Sequence, residues 1–201
     1  MPGTRGRIVV GAAVLVLLAG GIWVSGGLAR ADQVGPTSAA PGVEVEATPF
    51  RVRLDSAEAT YELSDGSTAD EGLAYVVVAG TLALDDDESV GSDVLGDAFR
   101  ADLSTYDVYG EPEDEAEPIV TVAGDGSWLL GIGPGLTYDV RLVFEVDESA
   151  VPGQVTVDLA AHVRRASSLD GTIGWHDPAV VSRVTLDVSP LPAERPDGDL
   201  Q

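Results

Sequence analysis

Between residues 136 and 146, Leu136, Tyr138, Val140, Leu142, Phe144 and Val146 occupy every second position, with Thr137, Asp139, Arg141 and Glu145 among the residues between them. A period of two puts one set on each side of an extended strand. An amphipathic helix would repeat its apolar positions every third or fourth residue instead. The alternation returns at 154–164, with Val155, Val157, Leu159, Ala161 and Val163 on one face and Thr156, Asp158, His162 and Arg164 on the other. It appears again at 180–188 through Val184, Leu186 and Val188. On this pattern His162 is a solvent-face residue.

Earlier in the chain the same reading holds in shorter pieces. Phe50, Val52 and Leu54 alternate with Arg51 and Arg53 at 49–54, and 57–63 continues that strand or pairs near it. Residues 73–84, LAYVVVAGTLAL, carry consecutive valines of the kind found where a sheet is buried on both faces. Residues 119–122 and 127–132 form a hairpin through Gly124-Asp125-Gly126, because Asp and Gly tolerate the positive φ of tight turns. Residues 94–103 fit a strand or an irregular segment. No stretch after residue 28 has helical periodicity. About seven or eight short strands punctuated by Gly, Pro and Asp turns describe an all-β fold, an antiparallel immunoglobulin-like β-sandwich.

The N-terminus obeys a different rule. Residues 8–28 contain no charged side chain between Arg7 and Arg30, and 21 residues in a helix span roughly 31 Å, the thickness of a bilayer core. Arg5 and Arg7 in front predict a cytoplasmic head at 1–7 and an extracytoplasmic remainder. Two readings of the run stay open. One is an uncleaved single-pass signal-anchor, favoured by its length. The other is a signal peptide cleaved after Ala31, since Ala29-Arg30-Ala31 has the small-x-small pattern. Residues 29–48, rich in Pro, Gly, Ala and Ser, read as a flexible linker; 49–189 as the sandwich domain; and 190–201 as a disordered tail.

Composition narrows the chemistry. With no cysteine there is no disulfide, thiolate metal site, thiol nucleophile or lipidated cysteine, so an exported core must hold by apolar burial. All 11 basic residues are arginine, a bias of high-GC bacterial genomes. Beyond the head, nine arginines face 34 acidic residues, a net charge of −25. Such a surface repels nucleic acid and anionic lipid headgroups.

An early YVVV strand, then Gly133-Pro134-Gly135 leading into VRLVFEV, then a Pro-Gly turn before an alternating strand, all behind an anchor and spacer, resembles a known group. It looks like the telokin-like, immunoglobulin-fold domains of unknown function on bacterial exported and membrane-anchored proteins. The likeness runs over about residues 50–188 and is strongest at 133–159. Where that group has an Asn after the early strand, this chain has Asp85 to Glu88. The resemblance implies a fold and an extracytoplasmic setting, and supplies no catalytic, cofactor or metal residues.

The residues themselves supply few candidates. His162 and His176 are the imidazole bases. Trp175-His176-Asp177-Pro178 reads as a loop closing one end of the sandwich; an Asp next in sequence does not by itself orient an imidazole, and no Gly-x-Ser-x-Gly elbow accompanies it. The runs 85–88 and 111–117 are acidic enough to attract Ca²⁺, yet neither matches a calcium-loop pattern, and they read as solvated loops guarding strand edges. The expectation is a non-enzymatic extracytoplasmic accessory or interaction module with an envelope or membrane-protein partner, no cofactor and no metal. A secreted calcium- or glycan-binding module released after Ala31 is the alternative.

Overall fold

The computed structural model describes residues 35–106, 112–113 and 116–195. The head and apolar run at 1–28 lie outside the described residues, as do 29–34 of the expected linker, 107–111, 114–115 and the last part of the tail at 196–201. Among the described residues no helix is long and apolar enough to cross a membrane.

In chain order the elements are β1 (Thr37–Ala39), β2 (Glu44–Ala47), β3 (Phe50–Thr60), β4 (Leu73–Leu84), β5 (Val90–Gly91), the helix α1 (Ser92–Asp97), β6 (Phe99–Ala101) and β7 (Thr105–Tyr106). There follow β8 (Pro112–Glu113), β9 (Ile119–Val122), β10 (Gly131–Ile132), β11 (Thr137–Asp147), one 3-10 turn (Glu148–Ala150), β12 (Gln154–Ala166) and β13 (Ile173–Ser189).

The long strands build a β-sandwich. In one layer β4 lies antiparallel between β3 and β11, β9 extends the sheet beyond β11, and β2 pairs with the first half of β3. In the other, β12 lies antiparallel between β6 and β13, and β1 runs parallel along the far edge of β13. The layers are stitched by the end of β13, where Val188 and Ser189 pair in parallel with Ala57 and Glu58 of β3.

Alternation explains the core. Phe50, Val52 and Leu54 of β3, Val76 and Leu82 of β4 and Leu142 and Phe144 of β11 belong to one buried cluster with Val155, Val157 and Leu159 of β12 and Leu186 of β13. Each such side chain contributes about 1.5–3 kcal/mol by leaving water, which suits a chain without disulfides. Val77 and Val143, paired across β4 and β11 on the opposite face, are also buried, in keeping with the continuous valine run.

Several local expectations change. Residues 37–39 and 44–47, read as flexible linker, are strands, because Val45 and Ala47 fall in register with Val52 and Phe50. The expected strand at 49–54 and the stretch from 57 join in one long β3, 50–60, kinked by a register shift between Leu54 and Ser56, with 61–63 in the loop that follows. The ambiguous 94–103 segment is α1 followed by β6; a helix of 6 residues is too short to show a period, and it is held by burial of Val94 and Leu95. The tail is docked at its start: Leu191 packs against the core and Arg195 binds the sheet.

The largest change concerns β12 and β13. Trp175 to Pro178 is strand, extending β13 alongside β12, with Trp175 packed against the core. Two register shifts interrupt that pairing, between Leu159 and Ala160 and between Ala161 and Val163. Bulges re-aim side chains, and the simple alternation expected for β12 ends there. Leu159 and Ala160 are both buried, Val163 is exposed, and His162 is only 5 % exposed rather than a surface residue.

Candidate functional site

An apolar groove opens between α1 and the β9 edge. The Asp125-Gly126 turn follows β9, with Gly126 at φ +72 where a side chain would also run into Asp65. The chain then returns alongside β9: Ser127 accepts from the Val122 amide at 2.9 Å and Leu129 donates to the Val120 carbonyl at 2.9 Å. This extended return buries Leu129 and leaves its neighbours outside, Trp128 at 65 % and Leu130 at 69 % exposed. Of the expected hairpin, 127–129 does fold back on β9, with Trp128 bridging Thr121, while 131–132 pairs with β5 instead, so the return is a ledge and not one continuous strand.

Opposite the ledge, α1 presents Ser92, Leu95 and Gly96, and Pro118 and Ile119 complete the wall. A Cβ at Gly96 would meet nothing within 4 Å, so that part of the wall faces open space. The groove holds about 270 Å³, and the Ser92 hydroxyl and Trp128 indole N–H are the polar side-chain groups among the residues that line it. Carboxylates stand at its margin. Asp93 and Asp97 lie on α1, and Glu117 precedes Pro118. Arg100 is the neighbouring cation, 3.2 Å from Asp97 and 2.7 Å from Glu117.

The imidazoles are elsewhere and apart from each other's chemistry. His162 is enclosed between the Thr48 turn, whose carbonyl accepts the His162 backbone amide at 2.6 Å, and the side of the fold that carries α1. Both its ring nitrogens are buried without a hydrogen-bond partner. Burial pushes its pKa down, against a weaker upward pull from Asp97 and Asp93.

His176 packs beside Gly174, with Nε2 buried and unpartnered. Its neighbour Asp177, at φ +55, turns to Arg165 instead, accepting from Nε at 2.6 Å and Nη2 at 2.9 Å. That paired guanidinium holds the Asp177 carboxyl below the usual carboxylate range. The adjacent His and Asp therefore do not form a dyad.

The acidic run 85–88 is engaged internally. Arg164 lies 2.8 Å from Glu88, 3.6 Å from Asp86 and 3.8 Å from Asp87, and Arg51 lies 3.9 Å from Asp85. Among the described residues no group of three or more His, Cys, Asp or Glu is placed to hold a metal ion. Much of the second acidic run lies outside the described residues.

Sequence reasoning missed the groove because its members sit in different segments. The available signal was Ser-Trp-Leu-Leu at 127–130, in which no strand period can bury all three large side chains at once.

No protein-family model matches the chain, and no curated protein matches it significantly. Among solved structures it is similar to an uncharacterised β-sandwich protein of Clostridium difficile 630, at 13 % identity over 79 % of this chain and 99 % of that one, TM-score 0.49. It is also similar to a candidate lipoprotein of Staphylococcus aureus, at 9 % identity over 77 % of this chain and 97 % of that one, TM-score 0.43.

Proposed function

We propose that this chain is a non-enzymatic binding module of the cell envelope. In this reading a telokin-like, immunoglobulin-type sandwich is tethered outside the membrane by residues 8–28 and acts as an accessory subunit to a membrane protein. The observation that carries the reading is the groove with Ile119, Trp128 and Leu130 exposed around it, on a chain otherwise rich in carboxylates. Clustered exposed apolar side chains, an aromatic among them, are the usual mark of a protein-interaction surface. The tether rests on the uncharged run behind Arg5 and Arg7. The non-enzymatic part rests on the engagement of Asp177 with Arg165 and on the enclosure of His162.

The test is crosslinking of the full-length chain in its own membranes, followed by affinity capture and mass spectrometry. Enrichment of one integral membrane protein, lost on deletion of residues 36–195, is the expected result. A chain that runs alone from gently solubilised membranes, or a mature form that begins at Asp32, overturns the accessory reading.

A further inference from the structure

We infer that the groove between α1 and the 128–130 ledge takes a short segment of a partner protein, a bulky apolar side chain flanked by Lys or Arg. The inference rests on the binding-module reading and adds the chemistry of the partner.

Size selects the kind of ligand. Pockets for drug-sized molecules and cofactors are about 300–1,000 Å³ and mix apolar walls with several convergent polar groups. This groove is smaller, at about 270 Å³, and only the Ser92 hydroxyl and the Trp128 indole N–H are polar among its lining side chains. It has room for one or two side chains and no polar set to orient a metabolite. Leu95 and Leu129, both buried, form its floor, while Trp128 and Leu130 stand out from it. A buried floor with exposed apolar walls is how a pocket for a single anchoring side chain is built.

Charge selects the flanks. Asp93, Asp97 and Glu117 are next in sequence to the lining residues Ser92, Gly96 and Pro118, and Arg100 is shared between the last two carboxylates. Asp93 is exposed and has no ion-pair partner among the described residues. The net field at the margin is negative, on a chain of formal charge −23. A segment with cationic residues beside its anchor gains from that field in encounter rate and in register, whereas an acidic segment or an anionic lipid surface is repelled. Arg100 cannot fill the cationic role itself, because its guanidinium donates to the Gly96 and Phe99 carbonyls at 2.9 Å and is held by its two carboxylates.

The test uses the full-length chain in mild detergent, immobilised and presented with a displayed library of random peptides. The same selection is run on Trp128→Ser/Leu130→Ser, whose exposed positions leave the fold intact, as checked by thermal melting. Expected are peptides with a bulky apolar residue beside Lys or Arg, enriched on the native chain and lost on the double variant. Synthetic copies should bind Asp93→Arg severalfold more weakly, and binding to the native chain should weaken as salt is raised.

Peptides whose enrichment ignores Trp128 and Leu130, or which carry acidic or uncharged flanks, overturn the inference. So does occupation of the groove by a second copy, read as a concentration-dependent dimer that Leu130→Ser abolishes. Failure of the two readings is distinguishable. A membrane partner still captured by Trp128→Ser/Leu130→Ser sinks the groove inference and leaves the accessory role standing. Selection of the expected peptides with no membrane partner does the reverse.

Discussion

The guanidinium of Arg195 lies 4.6 Å from the centroid of the Tyr61 ring, joining the end of the described chain to the loop after β3. The same guanidinium donates to the Ala69, Asp70 and Leu73 carbonyls at 3.1, 2.9 and 2.6 Å. The Tyr61 hydroxyl in turn donates to Glu148 at 2.8 Å, and that hydrogen bond is the main reason its pKa is raised. One planar, delocalised cation thereby satisfies two carbonyls of the irregular loop before β4 and that of Leu73 at the start of β4. Arg195→Ala should lower the melting temperature by a few degrees and speed proteolytic trimming from the C-terminus. Arg195→Lys should recover little, since an ammonium cannot fan across three acceptors and a ring at once. Equal trimming rates for the native chain and Arg195→Ala would show that the contact holds nothing.

Enclosure of His162 predicts a pH dependence with a definite sign. In the folded chain its pKa is lowered, chiefly by burial, with Asp97 and Asp93 of α1 the charged groups acting against that shift. At mildly acidic pH the unfolded chain therefore binds a proton that the folded chain resists. The stabilising effect is fully present above the unfolded value of about 6.5 and is lost as pH falls from there through the folded value, with a slope of at most about 1.4 kcal/mol per pH unit. Urea denaturation at mildly acidic and neutral pH should show the native chain losing stability on acidification, and His162→Leu losing much less. The carboxyls of Asp65, Asp86, Asp125, Asp170 and Asp177 are lowered and contribute at more acidic pH, which separates the two windows. A native chain as insensitive as His162→Leu in this window would contradict the enclosure of the ring.

What could be read in the sequence follows from where periodicity survives. Residues 137–147 are unbroken strand in the structure, and Val140, Leu142, Phe144 and Val146 are all buried as their spacing requires, while Leu136, just before the strand, is exposed. In β12 the same reading holds through Leu159 and then fails, because the extra residues that shift the register belong to β13. His162 stands opposite Asp177 and Pro178, and no period within 154–164 records what a partner strand inserts. Residues 37–47 were illegible for a related reason. Their strands are set by pairing, Thr37 with the distant Ser182 and Val45 with Val52 across the next turn, and not by any propensity of a Pro/Gly/Ala segment. The groove is a meeting of α1, β9 and the ledge, so it exists only once those elements are in place.

Arg164 predicts the behaviour of the acidic loop at 85–88. It is the cation set among Asp86, Asp87 and Glu88, and Glu88 is its nearest partner at 2.8 Å. The Asp86 carboxyl is lowered first by the Glu88 backbone amide, with Arg164 a smaller contributor, so the loop has its own internal hydrogen bonding as well. Arg164→Gln should leave the fold intact but expose like charges to one another. Its melting temperature should then rise with added sodium chloride more steeply than that of the native chain, because salt screens the repulsion that Arg164 normally offsets. Equal salt slopes for the two proteins would mean that the loop's hydrogen bonds, not Arg164, hold it together.

Gly80 carries the most severe single substitution expected in the sheet. It pairs with Leu54 where β3 shifts register, and an added Cβ would run into the Arg53 carbonyl and lie 3.1 Å from the Leu54 Cα. Both obstacles are backbone, so no rotamer change relieves them, and the kink in β3 must straighten or the strands must separate. The positions on either side show what is at stake: Leu82 of β4 and Leu54 of β3 are among the largest fully buried side chains. Gly80→Ala should therefore cost about 3 kcal/mol, at the upper end of overpacking changes, despite adding one methyl group. Gly96→Ala, in open space on α1, is the matched control, and should be neutral or slightly stabilising because alanine favours the helix. Chemical denaturation of the pair decides the matter. Similar midpoints for the two variants would mean that β3 and β4 are not apposed as closely as their register requires.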